Sequence, residues 1–565
     1  MCTNILELKP ERNFLDPNFD GYKLSLRSAI TEKYLLDSPI KRTLINSDQY
    51  SLLHAKIFGM NNFLTGESET DFENVYFVDN ERNLKKGSLN DNKKLMICNI
   101  WNVPKSNAQK DSSDSDCYNF SLKLISNNLA VLANGEGSFF ILDTGNRKNH
   151  DKWKLLYQEE LWDGKEFYIQ DAVLNECTLH VILCRIEQND KKSSLLVNIV
   201  KLTNLNSWEK ISFKQLLVQG DVSYLYLDRT CDAVYVASTL GCLFTFDSEN
   251  PVVDDLAASV SKNVTEKCYK WDQDENDVVI HFIMPQDIKK DCVDVTTSNT
   301  IIKVEFSGIS LIDGVLFNTV ESDLTTVNIT KNLIEISLVK KDQGLTWPDL
   351  LKDTSSSESF IRSEVKEEPN FSGEKELLKE DTQQGLTFNT EEIEECDFTN
   401  DEYTIFERVC LKTHQVTHKY NFGSNQVLLT VQRNKNMPPC IGVRHDVDIC
   451  IWEPQFENSN FQLKNVATLL AMGYIQASKQ QKKFISCPKD TSYSLICETS
   501  RHLFIYQQQN RICTEELRNR RSGSRINSIA EQLVVSIPND EIFGIYSSPN
   551  AIYILGEKFL MYISI

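Results

Sequence analysis

The chain has 565 residues, 41% of them hydrophobic, with a formal net charge of -20 and a pI of about 5.0. That length suits roughly three to four ordinary domains, and that apolar content excludes disorder throughout. The acidic balance argues against nucleic-acid binding, which rests on basic surface that displaces counterions, so no nucleic-acid partner is expected.

The opening stretch, Met1 to Arg12, has no apolar core of signal-peptide length behind a basic start. The longest apolar runs, such as Val466 to Ile475, fall far short of the ~18 residues a membrane helix needs. The expectation is a soluble, intracellular protein without membrane insertion. Its 16 cysteines are scattered, none in C-x-x-C or C-x-x-x-x-C spacing, so zinc-ribbon and redox patterns are missing. Cys242 and Cys450 lie inside apolar runs, where a free thiol behaves as a small hydrophobe.

Residues 1 to about 260 read as short apolar strands separated by turns. Between Leu132 and Leu142, the Asn134-Gly135 pair suits a tight turn because both residues tolerate positive φ. Between Ala233 and Phe246, two apolar runs flank a short turn containing Gly241. No long amphipathic helix intervenes, which points to a sandwich, barrel or propeller. The same grammar returns after about residue 403. Cys440 to Arg444, a polar turn at His445 to Asp448, and Ile449 to Trp452 form one such unit. Ser494 to Cys497 with His502 to Tyr506 form another, and Ala551 to Leu555 with Phe559 to Ile563 a third. Strand–turn–strand units finishing on an aromatic residue suggest propeller blades. The two stretches together allow about seven or eight blades of roughly 50 to 60 residues. No Gly-His…Trp-Asp repeat recurs at a fixed period, and two separate β-domains are the rival reading.

The middle of the chain differs. From Tyr269 to Leu351, alternation at Val278, Ile280 and Phe282 marks a half-buried strand that Pro285 ends. Short strands follow at Val293 to Val295, Ile301 to Phe306 and Ile309 to Ile312. A turn is expected at Asp313-Gly314, then a last strand from Leu333 to Lys341 and a closing Trp347-Pro348. About seven strands in this space make a compact antiparallel sandwich. Residues 353–402 then hold 16 Asp/Glu against 4 Lys/Arg, which predicts a flexible acidic linker, either a solvated tether or a phosphorylated interaction segment.

Tyr269-x-Trp271-x-Gln273, the strand Leu333-Ile334-Glu335-Ile336-x-Leu338-x-Lys340, and Trp347 resemble the CS domain of NudC proteins and of a small co-chaperone of the 90-kilodalton heat-shock chaperone. The resemblance to the NudC family extends further, through Leu15-Asp16-Pro17-Asn18-Phe19-Asp20-Gly21-Tyr22, Asp48-Gln49-Tyr50, Gly423-Ser424-Asn425-Gln426, Arg444-His445-Asp446-Val447-Asp448 and Gly473-Tyr474-Ile475-Gln476. It implies a co-chaperone-like adaptor of cytoplasm and nucleus. Its implied partners are the heat-shock chaperone, propeller-type clients and coat-complex subunits. Many relatives carry a Trp about eight residues before the Leu-Glu-Ile strand; Thr326 stands there in this chain.

The expected architecture is all-β, with a CS-type antiparallel β-sandwich (265–352) inserted in a split β-propeller (1–264 and 403–565). Contact through the CS domain is expected at Lys340, Lys341, Trp347 and Pro348, the last two being alternatively core closure. Trp is a usual anchor where proteins bind proteins.

No G-x-S-x-G, H-E-x-x-H or P-loop signature is present, so no enzyme, cofactor or metal is expected. His414 and His418 would stand ~13 Å apart if Val409 to Lys419 is a strand, too far to share a metal. His445-Asp446-Val447-Asp448 reads as a hairpin turn. Gly135-x-Gly137 lacks the helix a dinucleotide site needs. Arg511, Arg518, Arg520, Arg521 and Arg525 read as an exposed charged loop, or alternatively as a nuclear-import or acidic-partner patch.

Overall fold

The computed structural model describes residues 5–43, 51–105, 117–252, 270–283, 293–352, 403–472, 482–508 and 528–565, apart from single residues and pairs within those ranges. The acidic stretch 353–402, Tyr269, Pro285, Pro348 and the arginines between 511 and 525 lie outside the described residues. The chain divides into two compact units, Met1–Val252 with Thr390–Ile565, and Val253–Asn389.

The larger unit contains seven sheets of four or five strands among the described residues. Blade 1 comprises Thr65–Glu69, Phe72–Val78, Asn83–Leu89 and Leu95–Asn102. Blade 2 comprises Ser121–Leu124, Leu129–Ala133, Ser138–Asp143 and Lys154–Glu160. Blade 3 runs through Tyr168–Asn175, Thr178–Asn189, Lys192–Asn204 and Trp208–Val218. Blade 4 takes Val222–Leu227 and Ala233–Ser238 before the middle segment, then Ile405–Cys410 and Val416–Asn421 after it. Blade 5 uses Val427–Val431, Cys440–His445, Asp448–Glu457 and Asn460–Leu469. Blade 6 uses Lys482–Ser486, Tyr493–Glu498, His502–Gln507 and Ser528–Ser536. Blade 7 uses Ile542–Ser547, Ala551–Gly556 and Phe559–Ser564, with Thr31–Leu35 as its outer strand.

Side chains alternate across a strand, so a sheet between two others must be apolar on both faces. Blade 1 shows this: Val75 and Phe77 face blade 7, while Tyr76 and Val78 face blade 2. The inner strands Leu129–Ala133 and Ala551–Gly556 are buried at every residue. Seven apolar layers result, one for each pair of neighbouring blades, and the layer holding Leu64, Val75, Tyr553 and Leu560 joins blade 7 to blade 1. The sheets therefore form a closed ring, a β-propeller.

The N-terminal segment straps this ring. Ile5–Glu7 pairs in parallel with Val416–Asn421 of blade 4, and the Glu11 N–H donates to Asn465 Oδ1 on blade 5 at 3.1 Å. Phe19–Leu24 pairs in parallel with Ser528–Ser536 of blade 6, and Thr31–Leu35 pairs antiparallel with Phe559–Ser564 of blade 7. Leu8, Tyr22, Ala29 and Tyr34 drop into four successive inter-blade layers.

Three local expectations change. Ala233–Ser238 and Cys242–Asp247 do not pair with each other; the first is flanked by Val222–Leu227 and Ile405–Cys410, and the second joins the edge of blade 3 beside Trp208–Val218. Both edges of Ala233–Ser238 are occupied, so no position beside it is open. Val409 to Lys419 is a hairpin rather than one strand, turning through His414 at φ 58°. The Asp313-Gly314 turn is instead part of the strand Ile309–Val315. A Cβ at Gly314 would lie 2.9 Å from Leu351 Cδ1, so any larger residue there has to displace that side chain.

The smaller unit is a two-sheet sandwich. One sheet runs Lys270–Gln273, Asp277–Ile283, Leu333–Val339 and Thr326–Ile329; the other runs Val293–Thr297, Ile301–Phe306 and Ile309–Val315. Val278, Ile280, Phe282, Ile302, Val304 and Ile336 fill the space between them.

Two predictions follow from the larger unit. Deleting residues 1–36 removes the outer strand of blade 7 and uncovers four apolar layers, so the calorimetric unfolding midpoint of this unit drops by ~10 °C or more. His180 on blade 3 is lowered from 6.5 to about 4, chiefly by burial and also by Lys201. The fold keeps this imidazole neutral while the unfolded chain protonates near pH 6.5. Stability is therefore complete above pH 6.5 and falls by up to roughly 3 kcal/mol as pH drops toward 4. His180→Gln flattens that part of the stability–pH curve, measured by denaturant titration.

Candidate protein-binding surfaces

The residues singled out for CS contact separate into interior and surface. Lys340 is 2% exposed and Trp347 is 2% exposed. Lys340 Nζ donates to Gln273 Oε1 at 2.9 Å and to the carbonyl oxygens of Asp274 and Leu345 at 2.7 and 2.8 Å. An ammonium has three hydrogens and here all three are used, which is how an interior cation without a carboxylate partner is tolerated. Gln273 also grips Trp347: its Oε1 accepts from the Trp347 N–H at 2.8 Å and its Nε2 donates to the Trp347 carbonyl at 2.7 Å. Gln273 and Trp347 thus form a clasp joining the first strand of the sandwich to its closing segment. The clasp turns both inward, which removes Lys340 from the expected contact surface and places Trp347 in the core-closure role that was its alternative. Lys341 is exposed, and Pro348 lies outside the described residues.

Thr326 is exposed on Thr326–Ile329, an edge strand of the four-stranded sheet. Leu324 and Val327 beside it are 57% and 42% exposed. The Trp of relatives would lie on this edge; Thr326 leaves it less apolar. The neighbouring outer face carries His281, whose Nε2 is 3.2 Å from Glu335 Oε2.

The propeller ring encloses a channel lined by the first strand of each blade. One end is narrowed by residues 51–62, where Lys56 pairs with Asp221 at 2.6 Å and Leu53 enters the layer between blades 3 and 4. Around it stand Tyr76, Tyr118, Tyr168 and Tyr224 in a cavity of about 570 Å³. At the other end lies a cavity of about 1350 Å³ lined by Lys123, Arg229, Arg433, Lys435 and Lys489. Burial lowers the Lys123 ammonium from its ordinary value. Nothing in the sequence signals this group, since its members are spread from residue 123 to 489 and only ring closure gathers them.

Chemistry at the remaining candidates is structural. Among the described residues, no group of three or more His, Cys, Asp or Glu could hold a metal ion. His414 Nε2 lies 2.8 Å from Asp247 Oδ2, which Lys214 Nζ also contacts at 2.6 Å. Burial acts to raise Asp247, but these hydrogen bonds and backbone N–H groups outweigh it and hold the carboxyl at about 2. His445 and Asp448 face each other across a hairpin whose turn passes through Asp446 at φ 53°. Gly135-x-Gly137 is a hairpin loop in which Asn134 Oδ1 accepts from the N–H groups of Glu136 and Ser138. A Cβ on Gly135 would lie 1.9 Å from the Tyr118 carbonyl, so glycine is required. Cys440, Cys450, Cys487 and Cys497 are buried; burial pushes Cys450 up to about 11 and the other three up to about 12.

Gln273→Ala leaves Lys340 short of one acceptor and frees both backbone groups of Trp347. The sandwich loses ~2–4 kcal/mol, read as faster amide exchange in Asp277–Ile283 and Leu333–Val339 of the full chain.

Residues 267–340 match the CS domain family. The chain is 28% identical to NudC domain-containing protein 1 of Mus musculus, covering 99% of this chain and 98% of that protein. It is 27% identical to NudC domain-containing protein 1 of Xenopus tropicalis at the same coverage. Among solved structures, the β-propeller domain of Cps50 (Swd1) from Myceliophteria thermophila shows 8% identity over 89% of this chain and 97% of that one, with a TM-score of 0.33. The propeller assignment rests on the ring of apolar layers, not on that likeness. Over 99% of its length this chain is similar to NudC domain-containing protein 1, and it carries a CS domain within an all-β, propeller-containing chain.

Proposed function

We propose that this protein is a non-enzymatic, co-chaperone-like adaptor whose CS domain binds the 90-kilodalton heat-shock chaperone, propeller-type clients, or both. The observation that carries the reading is the CS match at residues 267–340, folded as a two-sheet sandwich with a complete Gln273–Lys340–Trp347 clasp. Full-length similarity to NudC domain-containing protein 1 supports the same class. Coat-complex subunits are further partners on this reading, and cytoplasm and nucleus its working compartments. Lys341 and the Leu324–Val327 edge are the surface groups assigned to the contact, since Lys340 and Trp347 serve the interior. Lys341 would meet acidic groups and the edge an apolar patch.

The basic end of the propeller channel favours a second reading, a propeller-based scaffold in trafficking or nuclear complexes in which the CS domain is only structural.

Deletion of 265–352 separates the two in a pull-down from cells. An adaptor acting through its CS domain loses the chaperone and propeller clients, whereas a scaffold keeps its principal partners. The full chain carrying Leu324→Asp and Lys341→Glu provides the finer test. Its chaperone binding falls at least ~10-fold on the adaptor reading and is unchanged on the scaffold reading.

A further inference from the structure

The basic end of the propeller channel stands out against the charge of the molecule. The chain as a whole carries -20, yet six basic side chains and two carboxylates line this cavity. Both carboxylates are engaged: Glu67 Oε1 lies 2.6 Å from Arg147 Nη2, and Asp171 Oδ2 lies 3.8 Å from Arg229 Nη1. Among the described residues, Lys123, Arg433 and Lys489 have no carboxylate within ion-pair distance. Asp490, next to Lys489, is turned to the Ser492 N–H and hydroxyl at 3.1 and 2.9 Å. The loop of blade 5 is braced against that of blade 6, because Arg433 Nε donates to the Lys489 carbonyl at 3.2 Å. Arg229 is fixed as well, donating to the Met437 carbonyl at 3.2 Å. The Arg433 and Arg229 guanidinium groups are thus held in place before any ligand arrives, which reduces the ordering cost of binding one.

We propose that this mouth receives an acidic peptide segment of a partner protein, with Lys435 and Lys489 at the entrance, Arg433 and Arg229 on the wall, and Lys123 at the inner end. The cavity of about 1350 Å³ accommodates several residues of extended chain. Carboxylates would meet guanidinium and ammonium groups in a site walled by protein, where such pairs are stronger than on open surface. This inference is independent of the CS-domain reading, since every residue it uses belongs to the propeller.

The test is fluorescence anisotropy of the full chain with a labelled twelve-residue polyglutamate, against polyglutamine of equal length. Tight, salt-sensitive binding of polyglutamate is expected, with at least a tenfold loss in Lys435→Glu/Lys489→Glu. Lys154→Glu/Lys412→Glu, which makes the same charge change on exposed sites away from the mouth, should bind as the parent does. Thermal unfolding of both variants establishes that they fold. Equal binding of the two peptides, or equal loss in the two double variants, overturns the proposal. So does stronger binding of single-stranded RNA or inositol hexakisphosphate than of polyglutamate, which would make the site a phosphate site.

Discussion

A propeller is held by an apolar layer between each sheet and the next, and the ring has to close for the last layer to exist. Here the closing layer, with Val75 and Phe77 on one side and Tyr553 and Leu560 on the other, joins strands nearly five hundred residues apart in sequence. Chain entropy opposes such a contact, and among the described residues no disulfide assists it. The N-terminal strap offsets that cost. Thr31–Leu35 completes blade 7, while the residues before it cross blades 6, 5 and 4 in turn. One segment of about thirty residues thereby touches four layers, so loosening any of them is resisted by the other three.

Closure also explains how the chain accepts an insertion in the middle of blade 4. Ala233–Ser238 and Ile405–Cys410 pair along their full length, although the whole sandwich lies between them in sequence. The entropic cost of a long loop grows only logarithmically, whereas the pairing and the two flanking layers are recovered in full. The departing chain is anchored first: Cys242–Asp247 adds to blade 3, where Asp247 is held by Lys214 and His414. His414 belongs to the Cys410–Gln415 turn of blade 4, so this contact ties the two blades where the chain leaves the ring.

Much of the all-β character was legible, because strands buried on both faces are continuous apolar runs bounded by turn residues. Leu129–Ala133, Cys440–His445 and Ala551–Gly556 all read that way. Strand partners were less legible. Nothing local in Cys242–Asp247 says that it joins the preceding blade, since that follows from both edges of its sequence neighbour being filled. Asp313-Gly314 has turn chemistry, yet both residues lie within a strand, paired with Lys303 and Ile302. Lys340 and Trp347 carried the family signal, but residue type alone does not say whether a lysine and a tryptophan serve a surface or an interior. Gln273, which decides it, lies some seventy residues upstream.

Charge shows the same separation between composition and arrangement. From the bulk balance of -20, to which residues 353–402 contribute 16 Asp/Glu against 4 Lys/Arg, comes the inference that an anionic ligand is disfavoured. It does not hold for a concave site, where the ring brings together five cations drawn from blades 2, 4, 5 and 6 against two lining carboxylates, Glu67 paired with Arg147 and Asp171 with Arg229. Local potential depends on distance, and the distances are set by closure. The apolar layers that carry stability therefore also create the basic cavity at the channel mouth. A change that opened the ring would disperse that cavity before it exposed much of the core.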